Sequence, residues 1–366
     1  MSIAKNRLTF ITSCNNCQTL FCYLQQTPKQ LPMNPANTQV LFFQHLKSQL
    51  PPHIAMVDEI AELLGISNDS AYRRIRGEKP IDLEETYKLC IHYKISMDQL
   101  LHLQSDSFIF SGNLKSANSE TVFEEWMQSV QYNLQVINSF EKKQMYYLMK
   151  DIPPFIHFLV PELTAFKCFF WMKSILHDER LKGVKFSLED KRYEKFMSHS
   201  KKIIELYNQI PITEIWNVES LNSTLNQINF YVEAGSFINK EDIRVLYNKV
   251  EELINHVEKQ AELGLKFNIG ETPKPNAAAY RLFVNELILG DNTIVAEMGN
   301  TRVTFLNHSV LYFVATRDER FNNAMFANLE NLMKKSTMIS TIGEKERGSF
   351  FNRLRDNIHL HLSALK

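Results

Sequence analysis

The chain has 366 residues, more than one compact core usually serves, so two or three domains are expected. With 44% hydrophobic and 11% aromatic residues it has ample material for globular packing, and 41 basic against 41 acidic side chains exclude a polybasic nucleic-acid tail and an acidic solvating tail. A membrane span is not expected either, because the richest apolar stretch, 155–176, is broken by His157, Pro161, Glu162, Lys167 and Lys173.

At the start of the chain, Ile11-Thr12-Ser13-Cys14 superficially matches a lipoprotein cleavage box, with Lys5 and Arg7 ahead of it. The apolar stretch before Cys14 is about six residues, short of the roughly 7–15 of a signal core. Cys17 and Cys22 follow, yet nothing nearby supplies the fourth ligand that structural zinc needs. Residues 1–32 therefore read as a disordered extension, with translation starting at Met33. The other two cysteines, Cys90 and Cys168, lie in apolar helical patterns and fit free thiols in a reducing cytoplasm.

A first helix is expected over 40–50. Val57, Ile60, Ala61 and Leu64 then recur at i, i+3, i+4 and i+7, one apolar face about two turns long. Gly65 follows, where a left-handed helix end suits a residue without a β-carbon. Ile66 plugs the corner and Ser67 is a good N-cap, so a second helix starts near Asn68. Ala71 and Ile75 supply its buried seam, Asn68, Asp69, Tyr72, Arg73 and Arg76 fall on the opposite side, and Gly77 and Pro80 stop it. So small an apolar seam gains little by burial, and an outer face of Asn, Tyr and Arg points to reading of the DNA major groove. A further helix opens at Pro80-Ile81-Asp82 with Leu83, Thr86, Tyr87 and Cys90 inward.

At these residues the chain resembles the Xre/Cro-like repressor family, whose pattern is a helix with Ala, then Leu-Gly-Val/Ile-Ser, a recognition helix, a Gly-to-Pro stop and two more helices. Tyr93-Lys94-Ile95-Ser96-Met97-Asp98-Gln99-Leu100-Leu101 is similar to the family's closing segment. The resemblance covers 37–104 and implies a five-helix DNA-binding domain. It puts Asn68, Asp69 and Arg73 where the family contacts bases, and Tyr72, Arg76 and Lys79 within reach of bases or phosphates, with Ser67 and Ser70 completing the DNA-facing set. The chain departs from the pattern at Arg74, where an apolar residue is common, and at Lys94, where glycine is usual. Over 37–104 seven basic side chains meet nine acidic ones, so the domain is not a basic glove. From Ser67 to Pro80, however, four positive groups face two negative, and this patch is the part that would approach phosphate. Affinity would then depend on two copies acting together.

Residues 105–119, rich in Ser and Asn around Phe108-Ile109-Phe110, read as a linker. Helical periodicity follows over about 120–150, 155–177, 189–209, 213–235 and 240–263, a helical bundle or array over 120–264 without a fixed repeat. Pro273 and Pro275 break the run. Strands are then expected at 280–289, 293–297, 302–306 and 309–316, separated by Gly290-Asp291-Asn292, Gly299-Asn300 and Asn307-His308, before 318–339 and 344–365 return to helix. The expected fold is mainly α: an N-terminal five-helix helix-turn-helix domain, a long helical middle region, and a small α+β C-terminal unit, 277–366, with an antiparallel β-meander.

Phosphate-loop, dinucleotide, zinc-protease and nucleophile-elbow motifs are absent from the sequence, and His359-Leu360-His361 sets its rings too far around a helix to share a metal. No catalytic residue, cofactor or metal is assigned. Met127, Met145, Met149 and Met172 read as core, though a soft aromatic cavity in the helical middle would suit an apolar effector. The sequence thus points to a cytoplasmic, non-catalytic transcriptional regulator that binds double-stranded DNA as a homodimer. A small-molecule or protein effector would act on the C-terminal part, and no membrane partner is implied. The alternative is a protein-interaction adaptor whose helix-turn-helix has lost DNA.

Overall fold

The protein is described by a computed structural model over residues 35–49, 55–93, 95, 97, 108–112, 120–287 and 290–365. The chain falls into two units, Met1–Gln104 and Ser105–Lys366. The expected extension, 1–32, lies outside the described residues.

In the first unit α1 (Pro35–Gln49), α2 (Met56–Leu64), α3 (Asn68–Ile75) and α4 (Leu83–Tyr93) enclose a small core. Phe42, Phe43 and Leu46 come from one stripe of α1, the two rings meeting edge to face at 5.3 Å, and Ile60, Ala61, Ala71 and Leu89 close over them. The inward face of α4 differs from the sequence expectation: Leu83 and Tyr87 stand in solvent, and Leu89 is fully buried. That rotation brings Glu85 against Arg74 of α3, and the ion pair fixes which side of α4 turns inward. Of the segment similar to the family's closing one, 93–101, Lys94, Ser96 and 98–101 lie outside the described residues, as do 102–104.

The second unit overturns the expected fold class. Its organising element is an eight-stranded mixed sheet of β1 (Ser111–Gly112), β2 (Lys143–Leu148), β3 (Ile212–Trp216), β4 (Tyr280–Val284), β5 (Thr293–Met298), β6 (Thr301–Asn307), β7 (Phe313–Thr316) and β8 (Thr337–Met338), in the order β1-β7-β6-β5-β2-β3-β4-β8. β2, β3 and β4 run parallel, while β5, β6 and β7 form the expected antiparallel hairpins. The C-terminal part is therefore not a small α+β unit following a helical region, because β2 lies inside one stretch expected to be helix, 120–150, and β3 covers the start of another, 213–235. Both strands are covered on their two faces, and β3 is buried at every position. A strand in that position loses the alternation of apolar and polar residues that would mark it, and a short apolar run is then compatible with a buried helix.

Helices α5 (Glu120–Asn138), α6 (Pro161–Phe170), α7 (Glu194–Tyr207), α8 (Asn222–Glu233), α9 (Lys240–Leu263) and α11 (Glu344–Ala364) pack on one face of this sheet, and α10 (Glu319–Lys334) packs on the other. Met145 and Tyr147 of β2 point to the first face, and Tyr146 and Leu148 to the second, as a period of two requires. Met127, Met145, Met149 and Met172 all lie in the larger core. Among the described residues no helix is long and apolar enough to cross a membrane.

Candidate nucleic-acid interface

Two glycine caps bracket α3. Gly65 holds φ at 66°, and its N–H donates to the Glu62 carbonyl at 3.2 Å while the Ile66 N–H reaches Ala61 at 2.9 Å. This is a Schellman ending, and its apolar contact, Ile66 beside Ala61, sits in the small core. The pattern repeats at the far end, where Gly77 at φ 76° donates to Arg74 at 3.0 Å and Glu78 to Arg73 at 2.9 Å. A side chain at either glycine would be strained by roughly 1 kcal/mol in that backbone region. Ser67 starts the helix, its Oγ accepting from the Ser70 N–H at 3.3 Å, and Asp69 lies in the first turn where the helix dipole favours an acid.

The inner side of α3 is braced by polar groups as much as by apolar ones. Arg74 is 6% exposed. Its Nε and Nη2 donate to the two carboxylate oxygens of Glu85 at 2.8 and 2.6 Å, and its Nη1 to the Ser70 carbonyl at 3.2 Å. The hydrogen bond from Arg74 holds the Glu85 carboxyl below its ordinary value. Glu85 also closes a capping box at the start of α4, accepting from the Asp82 N–H at 3.3 Å while Asp82 Oδ1 accepts from the Glu85 N–H at 2.8 Å. From α1, Gln39 Nε2 donates to the carbonyls of Arg74 and Lys79 at 2.7 and 2.8 Å, and its Oε1 accepts from the Ile81 N–H at 3.0 Å. One amide thereby fixes both the end of α3 and the loop after it.

The outer side is left to solvent. Asn68, Asp69, Tyr72, Arg73, Arg76 and Lys79 are all exposed, Tyr72 by 48%, with Asn68, Tyr72 and Arg76 aligned at a spacing of four. Asn68 Nδ2 donates to Asp58 of α2 at 2.8 Å. The Arg76 guanidinium lies 5.4 Å from the Tyr72 ring centre, and its Nε is 3.4 Å from Glu78. The expected patch of four cations loses one member: Arg74 is committed internally to Glu85, which leaves Arg73, Arg76 and Lys79 against Asp69 and Glu78. Ser67 and Ser70, placed in the same set from sequence, act here on the backbone, the first as cap and the second through its N–H and carbonyl. Sequence reading missed Gln39 and Glu85; the Asp82-to-Glu85 spacing of a capping box was the one visible signal.

The second unit buries charge that the sequence did not reveal. Glu214 on β3 accepts hydrogen bonds from the Tyr207 hydroxyl, from Trp216 Nε1 at 2.9 Å and from the Tyr280 hydroxyl at 2.7 Å. The Lys266 ammonium lies over the Tyr207 and Tyr280 rings at 4.2 and 4.8 Å, and burial lowers it to about 8. Lys167 donates to Thr224 Oγ1 at 3.0 Å and Gln227 Oε1 at 2.6 Å beside buried His157, and burial lowers it to about 7. Both clusters are hydrogen-bonded by their own neighbours, which suits a structural role. His359 meets Glu251 at 3.1 Å and the His361 ring stacks on Tyr247 at 5.7 Å, so the two imidazoles serve separate contacts.

Residues 46–127 match the model of the BetR domain, a helix-turn-helix-type DNA-binding domain family. The matched stretch begins in α1, contains α2 to α4 and runs into α5. No curated protein and no solved structure matches the chain.

Proposed function

We propose that the chain is a sequence-specific, DNA-binding transcriptional regulator of the Xre/Cro-like kind, acting in the cytoplasm and without catalysis. One observation carries the reading: α3 is held rigidly by Ala71, Arg74 and Ile75 on its inner side and leaves Asn68, Asp69, Tyr72, Arg73 and Arg76 together in solvent. Asn and Arg are the side chains that pair bidentately with adenine and guanine edges, and a helix of this size enters the major groove by its N-terminal residues.

The proposed complex contains two copies. Three exposed cations against two carboxylates give one copy little phosphate affinity, whereas two α3 helices in successive major grooves about 34 Å apart double it and impose two-fold symmetry on the operator. A small molecule or protein that prefers one geometry of the dimer through residues 105–366 would shift the population that fits DNA.

The test is selection of duplexes from a random pool by the full chain, followed by titration of the enriched site at several salt concentrations. Enrichment of a two-fold-symmetric site with salt-dependent affinity is expected. A full chain that enriches nothing and retains no random duplex at low salt overturns the reading in favour of a protein-interaction adaptor, to which the acidic balance of 37–104 is suited.

A further inference from the structure

Three large apolar side chains of α4, Leu83, Tyr87 and Ile91, are exposed by 86%, 60% and 58%. They stand four apart and so share one side of the helix, and rows of that spacing are the ridges by which helices most often pack on one another. Glu85, which faces Arg74 of α3, lies roughly 160° around α4 from the middle of the row. The row therefore looks away from α3, and covering it leaves the surface of Asn68, Tyr72 and Arg73 open. The core of the unit does not need these three residues, because Leu89 closes it from the inner side of the same helix.

The two flanks of the row differ. One carries Glu84 and Lys88, both exposed, and neither side chain has a hydrogen bond or ion pair among the described residues. The other carries Thr86 and Cys90, both half-buried. Two copies of α4 packed antiparallel about a two-fold axis at Tyr87 set Leu83 of each on Ile91 of the other. That arrangement brings like flank to like flank, with Glu84 of each copy beside Lys88 of the other, so all four charges meet opposite ones. The two helix dipoles also oppose. A parallel pair would set the charged flank against Thr86 and Cys90 and would pair none of them. A row whose flank is complementary to its own reversal is what an isologous contact needs. Its area sets its strength: six side chains, three from each copy, cover about half of what a standard stable interface buries.

We propose that the exposed row of α4 is an interface for a second copy of this chain, joined antiparallel about a two-fold axis at Tyr87, with Glu84 and Lys88 setting the register. Its small area makes the pair weak when free and effective when two copies share one duplex, which holds the second at high local concentration. That this pair is the one that occupies an operator rests on the function proposed above; the pairing itself does not.

Sedimentation velocity of the full chain without DNA, over a dilution series, measures the pairing. Weak, concentration-dependent dimerisation is expected. Tyr87→Glu, which sets two like charges face to face on the axis, should weaken it by about tenfold or more at an unchanged melting temperature. Glu84→Lys and Lys88→Glu should each weaken self-association by about threefold to tenfold. An equal mixture of those two variants should dimerise about as well as the unsubstituted chain, because each flank then meets its opposite on the other copy. No association at any concentration, association undiminished in folded Tyr87→Glu, or no recovery on mixing overturns the proposal. Pairing without binding of any duplex refutes the regulatory function and leaves the interface, and duplex binding with association unmoved by the α4 variants refutes the interface alone.

Discussion

Removing Glu85 tests whether α3 is braced as described. In Glu85→Ala the Arg74 guanidinium, with 7% of its side chain exposed, keeps only its contact to the Ser70 carbonyl. Breaking one partner of a buried pair typically costs about 3–5 kcal/mol, and so thin a unit lets water approach from behind, so about 3 kcal/mol is expected here. A unit of this size has about three times that in total, so the loss is large. At about 1.4 kcal/mol per decade it corresponds to a hundredfold faster exchange of the α3 and α4 amides. Hydrogen exchange of the full chain, read on peptides covering 68–75 and 83–93, measures it directly. Arg74→Met with Glu85→Leu, which removes both charges, should recover most of the protection. The pair also sets an acid limit. Glu85 has a lowered folded pKa, so its contribution is complete above the unfolded carboxylate value of about 4.3 and is lost as pH falls through the lower folded one, a loss absent from Glu85→Gln. Exchange within about threefold of wild type in Glu85→Ala, about 0.7 kcal/mol at 1.4 kcal/mol per decade and well short of the roughly 3 expected, would refute the brace.

Three further outcomes follow from the same geometry. Gln39→Leu takes the partners from the Lys79 carbonyl and the Ile81 N–H and leaves the Arg74 carbonyl to the Gly77 N–H, and water can partly satisfy the rest, so a loss of about 1–2 kcal/mol and faster exchange of the Ile81 amide are expected, and an unchanged Ile81 amide would sink the clasp. Arg73→Ala should cost about 1–3 kcal/mol at the selected site and relax its sequence preference, whereas Lys79→Ala should weaken all duplexes alike; equal losses on cognate and random DNA would remove Arg73 from base reading. In the second unit, folded Lys167 loses its proton near 7 while the unfolded chain keeps it to about 10.4, so the unfolded state binds more protons in between and stability rises with pH over that window. Urea midpoints followed by Trp126, Trp171 and Trp216 fluorescence should therefore climb from about pH 7 to 9.5, and Lys167→Met should flatten the climb without abolishing it, because Lys266 at about 8 contributes with the same sign. Parallel pH profiles for the two proteins would show that Lys167 is not the cause.

The helix-turn-helix was legible because its signals are local. Gly65, Ile66 and Ser67 each act within one turn of their own position, and the structure starts α3 at Asn68, where the N-cap puts it. Arg74 was not legible in that way: its neighbours make it look like another surface cation, and only Glu85, eleven residues on and on a different helix, takes it inside. The same limit hid the sheet. Ile212-Thr213-Glu214-Ile215-Trp216 contains an acid that no isolated strand would bury, and it is buried because Tyr207 from the preceding helix meets it together with Tyr280 and Lys266, which are distant in sequence. Leu83 and Tyr87 misled for the opposite reason, being apolar by type but turned outward once Glu85 had to face Arg74.

The internal commitment of Arg74 also makes copy number readable from salt. Each phosphate neutralised by a cation releases counterions, and log affinity falls with log salt by about 0.9 per contact. One copy offers Arg73, Arg76 and Lys79, with Arg76 shared with Glu78, so a single α3 on DNA should show a slope no steeper than about −3. Two copies on a two-fold site should approach about −5 to −6. Had Arg74 been a phosphate contact, the limits would be about −3.6 and −7. Measured on the enriched site between 50 and 200 mM salt, roughly the range where such slopes are linear, a value near −5 supports paired binding by the three exposed cations. A value near −3 means that one copy suffices, and the argument that weak local charge forces dimerisation then fails even if the DNA reading stands.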